Sequence, residues 1–189
     1  MKKKIVIGVT GASGSIYAQK LLQNLQTFGS EIEACGVVFS TNAETVIEHE
    51  LHCKKHELTS FKIYDTSDFF APFASGSGNY DCMIICPCTM GTIGRIAHGY
   101  ADDLLTRAAD VMLKEKKQLI IVAREMPYNL IHIENFKLLT LAGAVICPAS
   151  PSFYSKPQSI DELVETVINK ILHLAGFPVN AFEWGAEGG

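Results

Sequence analysis

Short apolar runs alternate along the chain with amphipathic segments, and small or turn-forming residues separate them. The apolar runs are as short as strands and rich in β-branched residues, which predicts parallel strands buried on both faces. These runs are 5–9, 32–39, 83–86, 118–122 and 144–147. The amphipathic segments repeat apolar residues every three or four positions, which predicts helices. These segments are 15–28, 43–50, 93–98, 100–114, 131–141 and 160–175.

The regular alternation of strand and helix predicts an α/β protein in three layers, with a doubly wound parallel sheet of the flavodoxin or Rossmann kind. Residues 54–81 show little periodicity and are predicted to form a loop over the site. Because the chain has 189 residues, one domain, 1–189, is expected, with a tail from about residue 177. Trp184 in that tail is interpreted as a docking contact.

Composition and charge narrow the classes of partner. Hydrophobic residues make up 48% of the chain and charged residues 19%, which suits apolar surface buried between subunits and favours a homo-oligomer. The net charge of −4 and the dispersed cations argue against a nucleic-acid partner. No apolar stretch reaches the roughly 18 residues of a membrane span, and the run after Met1 is too short for a signal peptide. A cytoplasmic protein without a membrane partner is therefore expected.

Cysteine and histidine placement does not favour a metal protein. The six cysteines lie mostly in strand-like runs and are expected to be core thiols in a reducing compartment. His49, Glu50 and His52 suggest a metal cluster, but their HExH spacing is one residue shorter than the HExxH pattern that puts two histidines on one helix face. No metal is therefore expected.

Two strand-to-helix junctions carry anion-binding chemistry. After the first strand, Gly11, Ser13 and Gly14 permit a tight turn at a helix N-terminus, where amides and the helix dipole favour phosphate. This turn is interpreted as a phosphate or flavin cradle, with a plain strand-to-helix turn as the alternative. Residues 87–92, PCTMGT, repeat the arrangement with two hydroxyls. Ser40 ends another strand, at the edge where open α/β sheets bind ligands.

Charged residues supply further candidates. Arg107 and Lys114 lie seven positions apart on one predicted helix and return to nearly the same azimuth, so they could converge on one anion. Ordinary solvated charges are the alternative. Lys170 lies off the apolar stripe of the last helix, where it can meet a ligand or a neighbouring subunit. Arg124 and Glu125 form a charged pair at a strand end, a position that favours function in such sheets.

Seven segments together resemble the UbiX/Pad flavin prenyltransferase family, in the family's order and spacing, over about residues 4–175. They are GVTGASGSIY, ICPCTMGTI, GYADDLLTRAADVMLKE, REMP, HIENF, GAVICPASPSFY and KPQS. The resemblance implies a flavodoxin-like sheet, a dodecamer and a metal-independent prenyltransferase. The implied reaction joins a dimethylallyl group to N5 and C6 of reduced FMN; the donor is dimethylallyl monophosphate in most bacterial members, with the diphosphate as the alternative. The product, prenylated FMN, would serve UbiD-type decarboxylases.

The resemblance also implies roles for individual residues. It places FMN contacts at Gly11, Ala12, Ser13, Ser40, Thr89, Met90, Gly91, Thr92 and Arg124. It places the phosphate of the prenyl donor among Arg107, Lys114, Tyr154 and Lys170. Glu125 would lie beside the donor phosphate and help move the N5 proton. Ser13 and Glu50 would relay a proton during formation of the C6 bond, with a plain helix-end carboxylate as the alternative for Glu50.

Two positions depart from the family pattern, and three other functions compete with it. Lys170 replaces a common arginine, which keeps charge but loses bidentate geometry toward phosphate, and Phe70 replaces a tryptophan of some members. A nicotinamide reductase would be expected to show a YxxxK pair, which is absent, as is the PxMNxxMW signature of a related cysteine-derived decarboxylase. The third alternative is a non-catalytic FMN-binding assembly subunit of an aromatic-acid decarboxylase.

Overall fold

A computed structural model of the chain describes residues 2–179. The strands are Lys3–Val9 (β1), Ile32–Phe39 (β2), Lys62–Tyr64 (β3), Cys82–Cys88 (β4), Gln118–Ala123 (β5) and Val145–Ile146 (β6). The helices are Ser15–Thr27 (α1), Ala43–Leu51 (α2), Met90–Ala97 (α3), Leu104–Lys114 (α4), Leu130–Leu141 (α5) and Ile160–Leu174 (α6). In the described part of the chain, no helix has the length and hydropathy of a membrane span.

The six strands form one parallel sheet in the order β3-β2-β1-β4-β5-β6. The chain moves outward from β1 to β3 and then returns to β4, which pairs with the other side of β1. The point where the strand order reverses therefore lies between β1 and β4. In such sheets ligands bind outside the carboxyl ends of the strands at this point. The predicted doubly wound α/β fold is confirmed.

Each face of the sheet carries its own core. Alternate side chains of a strand point to opposite faces, so Ile5 and Ile7 pack with α1 and α6, whereas Val6 packs with α3, α4 and α5. The same division holds for the helices, because the buried residues of α6 belong to the first of these cores and those of α4 to the second. Side chains on α4 and on α6 are consequently separated by the sheet.

Several boundaries differ from the prediction. Residues 62–64, expected to be loop, add β3 to the sheet edge beside β2, and three residues are too few to produce a readable period. α3 begins at Met90 and α4 at Leu104, because Thr89 and Asp103 cap them with their side chains. Phe177 is buried and its ring lies 5.1 Å from that of Phe28, so the body of the fold reaches into the predicted tail. Trp184 lies outside the described residues.

Candidate functional site

A polar cavity of about 390 Å³ lies at the carboxyl edge of the sheet, between the loops that follow β1, β2 and β4. Its lining residues are Gly11, Ser40, Thr41, Asn42, Thr89, Gly91, Thr92, Arg95 and Asp103. Five of these were expected from the sequence and four were not: Thr41, Asn42, Arg95 and Asp103. The cavity therefore gathers the predicted junction residues at the reversal point of the sheet, where a mononucleotide binds in folds of this kind.

The junction between β4 and α3 is arranged for an anion. Thr89 caps the helix, since its Oγ1 accepts from the amide of Thr92 at 3.2 Å, and the two hydroxyls are 3.0 Å apart. The amide of Gly91 has no acceptor among the described residues. A Cβ added to Gly91 would meet nothing within 4 Å, so the open space lies directly at the helix N-terminus. An anionic group fits there.

The junction between β1 and α1 is already filled by a side chain. The amide of Gly14 donates to both oxygens of Glu50, at 3.1 and 2.9 Å, and the amide of Ser15 donates to Oε2 at 2.7 Å. The position where an external phosphate was expected thus holds a carboxylate of the same chain. A phosphate is better received at α3, and contact of the first loop with a flavin remains a prediction.

Glu50 and Ser13, the two predicted proton-relay residues, lie together. Partial burial raises the pKa of Glu50, but hydrogen bonds from the Ser13 side chain and from the Ser15 and Gly14 amides lower that pKa more, and the net direction is down. Glu50 is therefore ionised at neutral pH. It suits the role of proton acceptor rather than donor.

Thr10 joins the two junctions and was not predicted. This residue is buried at 3% exposure. Its Oγ1 donates to the carbonyl of Pro87 at 2.8 Å and accepts from the amide of Thr89 at 2.9 Å. The β4–α3 loop is thereby held in place by the end of β1. A single threonine beside a glycine-rich turn carries no sequence signal for this contact, because its partners lie 77 positions or more away.

Arg124 provides a test of whether a flavin fits beside the first loop. Its Nε is buried and has no hydrogen-bond partner in the described part of the chain, and its Cγ lies 3.9 Å from a Cβ placed on Gly14. A buried donor without an acceptor is costly unless a ligand supplies one. The carbonyl and nitrogen acceptors of a flavin ring suit this donor. Glu125, the next residue, is exposed, and its Oε1 accepts from the amide of Met126 at 3.0 Å.

One chain does not bring the four predicted donor-phosphate residues together. On α4, Arg107 binds the carbonyl of Ala74 and the carboxylate of Asp110, and Lys114 pairs with its neighbour Glu115 at 2.7 Å. Lys114 ends α4, ten residues after Leu104, which places it about 15 Å along the helix axis from the carboxyl edge of the sheet.

Tyr154 and Lys170 lie on the other side of the sheet. They line a second cavity, of about 790 Å³, between α6 and the loop after β6. α6 packs on the opposite face of the sheet from α4. The two pairs of residues can therefore meet one phosphate only if they come from different copies of the chain.

The histidines near the end of α2 do not gather with other ligands. His52 ends α2 in the left-handed conformation. Within residues 2–179, no group of three His, Cys, Asp or Glu side chains could hold a metal ion.

The strand order and the cavity at the reversal point define a flavodoxin-like α/β protein with a site for a mononucleotide. Consistent with this class, the profile of the Flavoprotein family matches residues 1–172. The chain is 38% identical over 185 residues to the flavin prenyltransferase UbiX of Methanocaldococcus jannaschii, covering 96% of this chain and 98% of that protein. At this identity and coverage, the chain belongs to the UbiX flavin prenyltransferase family.

Solved structures agree. The crystal structure of AnUbiX (PadA1) in complex with FMN and dimethylallyl pyrophosphate superposes with a TM-score of 0.86 at 37% identity, covering 97% of this chain and 100% of that one. The dodecameric FMN-dependent UbiX-like decarboxylase of Escherichia coli O157:H7 superposes with a TM-score of 0.90 at 37% identity, with the same coverage.

Proposed function

We propose that the protein is a metal-independent flavin prenyltransferase. It joins the dimethylallyl group of dimethylallyl monophosphate to N5 and C6 of reduced FMN, and the prenylated FMN is used by a UbiD-type decarboxylase. The observation that carries the proposal is the cavity between β1, β2 and β4. The buried Nε of Arg124, which has no hydrogen-bond partner within residues 2–179, adds to it. Family membership and the ligands of AnUbiX support the choice of FMN and a dimethylallyl donor.

The residues of the chain divide the work between binding and proton transfer. When bound in its reduced form, the flavin supplies the nucleophilic N5 and C6 positions. The hydroxyls and amides of 89–92, with Ser40, hold the FMN phosphate, and Arg124 donates to the ring. Glu50, ionised and next to Ser13, accepts a proton during formation of the C6 bond. Glu125 assists the transfer of the N5 proton.

The donor phosphate is held by cations from more than one subunit. Departure of phosphate from an allylic carbon places negative charge on the leaving oxygens, which preorganised cations stabilise more than they stabilise the ground state. Arg107 and Lys114 of one copy would complete a site that contains Tyr154 and Lys170 of another. A homo-oligomer is then required for catalysis, and the dodecamer of the E. coli relative supports this assembly.

Exposed apolar side chains support the assembly. The apolar residues of α5 are spread around its circumference, and five of the large ones are exposed: Leu130, Ile131, Ile133, Leu138 and Leu141. Phe70, which we expect to form an aromatic wall for the donor, is also fully exposed. An isolated chain seldom leaves this much apolar surface in water, so contacts between copies are the natural cover. A cytoplasmic location, where a reducing pool keeps all six cysteines as thiols, completes the proposal.

The test is anaerobic incubation of the purified protein with FMN, a strong reductant and dimethylallyl monophosphate. We expect mass spectrometry to find a flavin with the mass of FMN plus one C5 unit less the hydrogen lost. Lys114→Ala should abolish product and leave FMN bound, whereas Lys117→Ala, three positions on, should leave product formation unchanged. Recovery of unmodified FMN at high enzyme and donor concentrations would favour the non-catalytic assembly subunit.

Mixing two inactive variants tests the shared site. Oligomers reassembled from Lys114→Ala and Lys170→Ala chains should regain part of the activity, because some sites then receive both wild-type cations. Reassembled mixtures that stay as inactive as each parent would show that the four residues act within one chain or do not share a site.

A further inference from the structure

We propose that Arg95 recognises the phosphate of FMN and sets the preference of the site for FMN over riboflavin. The inference rests on the proposed function only in taking a flavin as the ligand of the cavity between β1, β2 and β4. Riboflavin has the same ring and ribityl chain without the phosphate. A residue that acts on the phosphate alone therefore changes the affinity for one flavin and leaves that for the other.

Arg95 lies on the cavity face of α3. Residues three and four positions apart occupy one side of a helix, so Gly91, Thr92 and Arg95 face the same way, and all three line the cavity. The anion-binding end of α3 and a guanidinium thus belong to one surface. Among the cavity-lining residues that the structure describes, Arg95 is the only positively charged one.

Part of the guanidinium of Arg95 is held and part is available. Nη1 donates to Oδ1 of Asp102 at 3.0 Å and to Oδ2 of Asp103 at 2.8 Å. An arginine has five N–H donors in a planar fork, and the Nε and Nη2 donors have no acceptor within residues 2–179. These remaining donors suit phosphate oxygens, with which guanidinium makes bidentate contacts.

The acid that holds Arg95 is itself fixed by α4. Asp103 is the N-cap of that helix, and its Oδ1 accepts from the amide of Thr106 at 2.7 Å. Burial raises the pKa of Asp103, but hydrogen bonds from Thr106 and Arg95 lower that pKa more, and the net direction is down. Asp103 is therefore ionised at neutral pH. The arginine is preorganised by a rigid partner rather than ordered by the ligand.

The two aspartates reduce the positive charge at Arg95 but leave its fork oriented. Asp102 is 67% exposed, so water and salt screen its charge, and Asp103 makes hydrogen bonds to the start of α4 as well. A phosphate placed at the N-terminus of α3 would meet hydroxyls, the Gly91 amide and the unused guanidinium donors together. The contribution of Arg95 is accordingly one of directed hydrogen bonds more than of net charge.

Equilibrium titration of the apoprotein with FMN and with riboflavin tests the proposal. Arg95→Gln should weaken FMN binding by about tenfold or more and change riboflavin binding by less than about twofold, because a charge-assisted contact is lost only for the phosphate. Arg95→Lys should recover part of the FMN affinity. Lys20→Gln, which removes an ion pair with Asp161 on the α1–α6 side, should leave both affinities unchanged.

Three outcomes decide the matter. Loss of FMN affinity with riboflavin affinity retained supports a phosphate contact. Equal loss for both flavins would overturn it and indicate that Arg95 only supports the cavity wall through Asp102 and Asp103. Unchanged affinity for both would also overturn it. The measurement needs no catalysis, so a protein that shows the Arg95 effect and yet forms no prenylated FMN would contradict the proposed function alone.

Discussion

The β1–α1 and β4–α3 junctions have the same local structure, but a side chain of the protein occupies the first and a cavity lies at the second. Each leads from a buried strand through small polar residues into a helix at the carboxyl edge of the sheet. At α1 the helix amides are bound by Glu50, whereas at α3 the Gly91 amide opens into a cavity. A glycine-rich junction therefore predicts an anion but does not say whether that anion is a ligand or a side chain of the same protein.

The difference follows from how each helix is capped. Gly14, the N-cap of α1, adopts a φ of 102° and has no side chain to accept from the first amides, so the carboxylate of Glu50 takes that part. Thr89 caps α3 with its own hydroxyl. The N-terminus of α1 thus needs an acceptor from a residue 36 positions away. The N-terminus of α3 is capped by its own Thr89, and its other amides can bind a ligand.

Removal of the internal anion should have the largest effect. Glu50→Ala leaves the amides of Gly14 and Ser15 without their acceptor, and we expect the free energy of unfolding to fall by about 1–3 kcal/mol. Urea denaturation measures this loss. Glu48→Ala, on an exposed position of the same helix, is the control, and equal stability of the two variants would show that the carboxylate does not cap α1.

Filling the cavity at the β4–α3 junction should weaken FMN binding without destabilising the fold. In Gly91→Ala the added methyl enters the cavity, so FMN affinity should fall by about tenfold, while loss of a helix glycine should stabilise the protein by about 0.5–1 kcal/mol.

Gly94→Ala is the matched control for this variant. It lies on the same helix, and its added Cβ would approach the side chain of Asn135 at 3.4 Å rather than the cavity. Its FMN affinity should match that of the wild type. If Gly91→Ala binds FMN as tightly as Gly94→Ala does, the phosphate does not sit at the N-terminus of α3.

The smallest effect should be on the pH dependence of stability, through Glu50 at the β1–α1 junction. Because the pKa of Glu50 is lowered in the folded protein, its stabilising contribution is fully present above the ordinary value of 4.5 and is lost as pH falls through the folded value. The stability difference between wild type and Glu50→Gln should stay constant from pH 7 to about 5 and shrink below about 4.5. A stability difference that grows on acidification would contradict the assignment of Glu50 as an ionised carboxylate in the folded protein.

Much of the fold was readable because its signals are local. The β-branched runs predicted all strands except β3, whose three residues carry no period. Of the cavity-lining residues, Gly11, Ser40, Thr89, Gly91 and Thr92 were candidates from the sequence, because they follow the ends of predicted strands. Arg95 was not, because a cation inside a helix resembles an ordinary solvated charge until the loop after β2 and the start of α4 are folded beside it.

The sequence by itself determined the α/β alternation, the two strand-to-helix junctions suited to binding an anion, and the family. Those properties depend on residue types and on short spacings, which survive without knowledge of distant contacts. Only the tertiary structure decided that Glu50 closes one junction, that Thr10 ties it to the other, and that Arg107 and Lys170 lie across the sheet from each other. Packing alone brings together residues far apart in the chain, so the choice between an internal carboxylate and an external phosphate is made there.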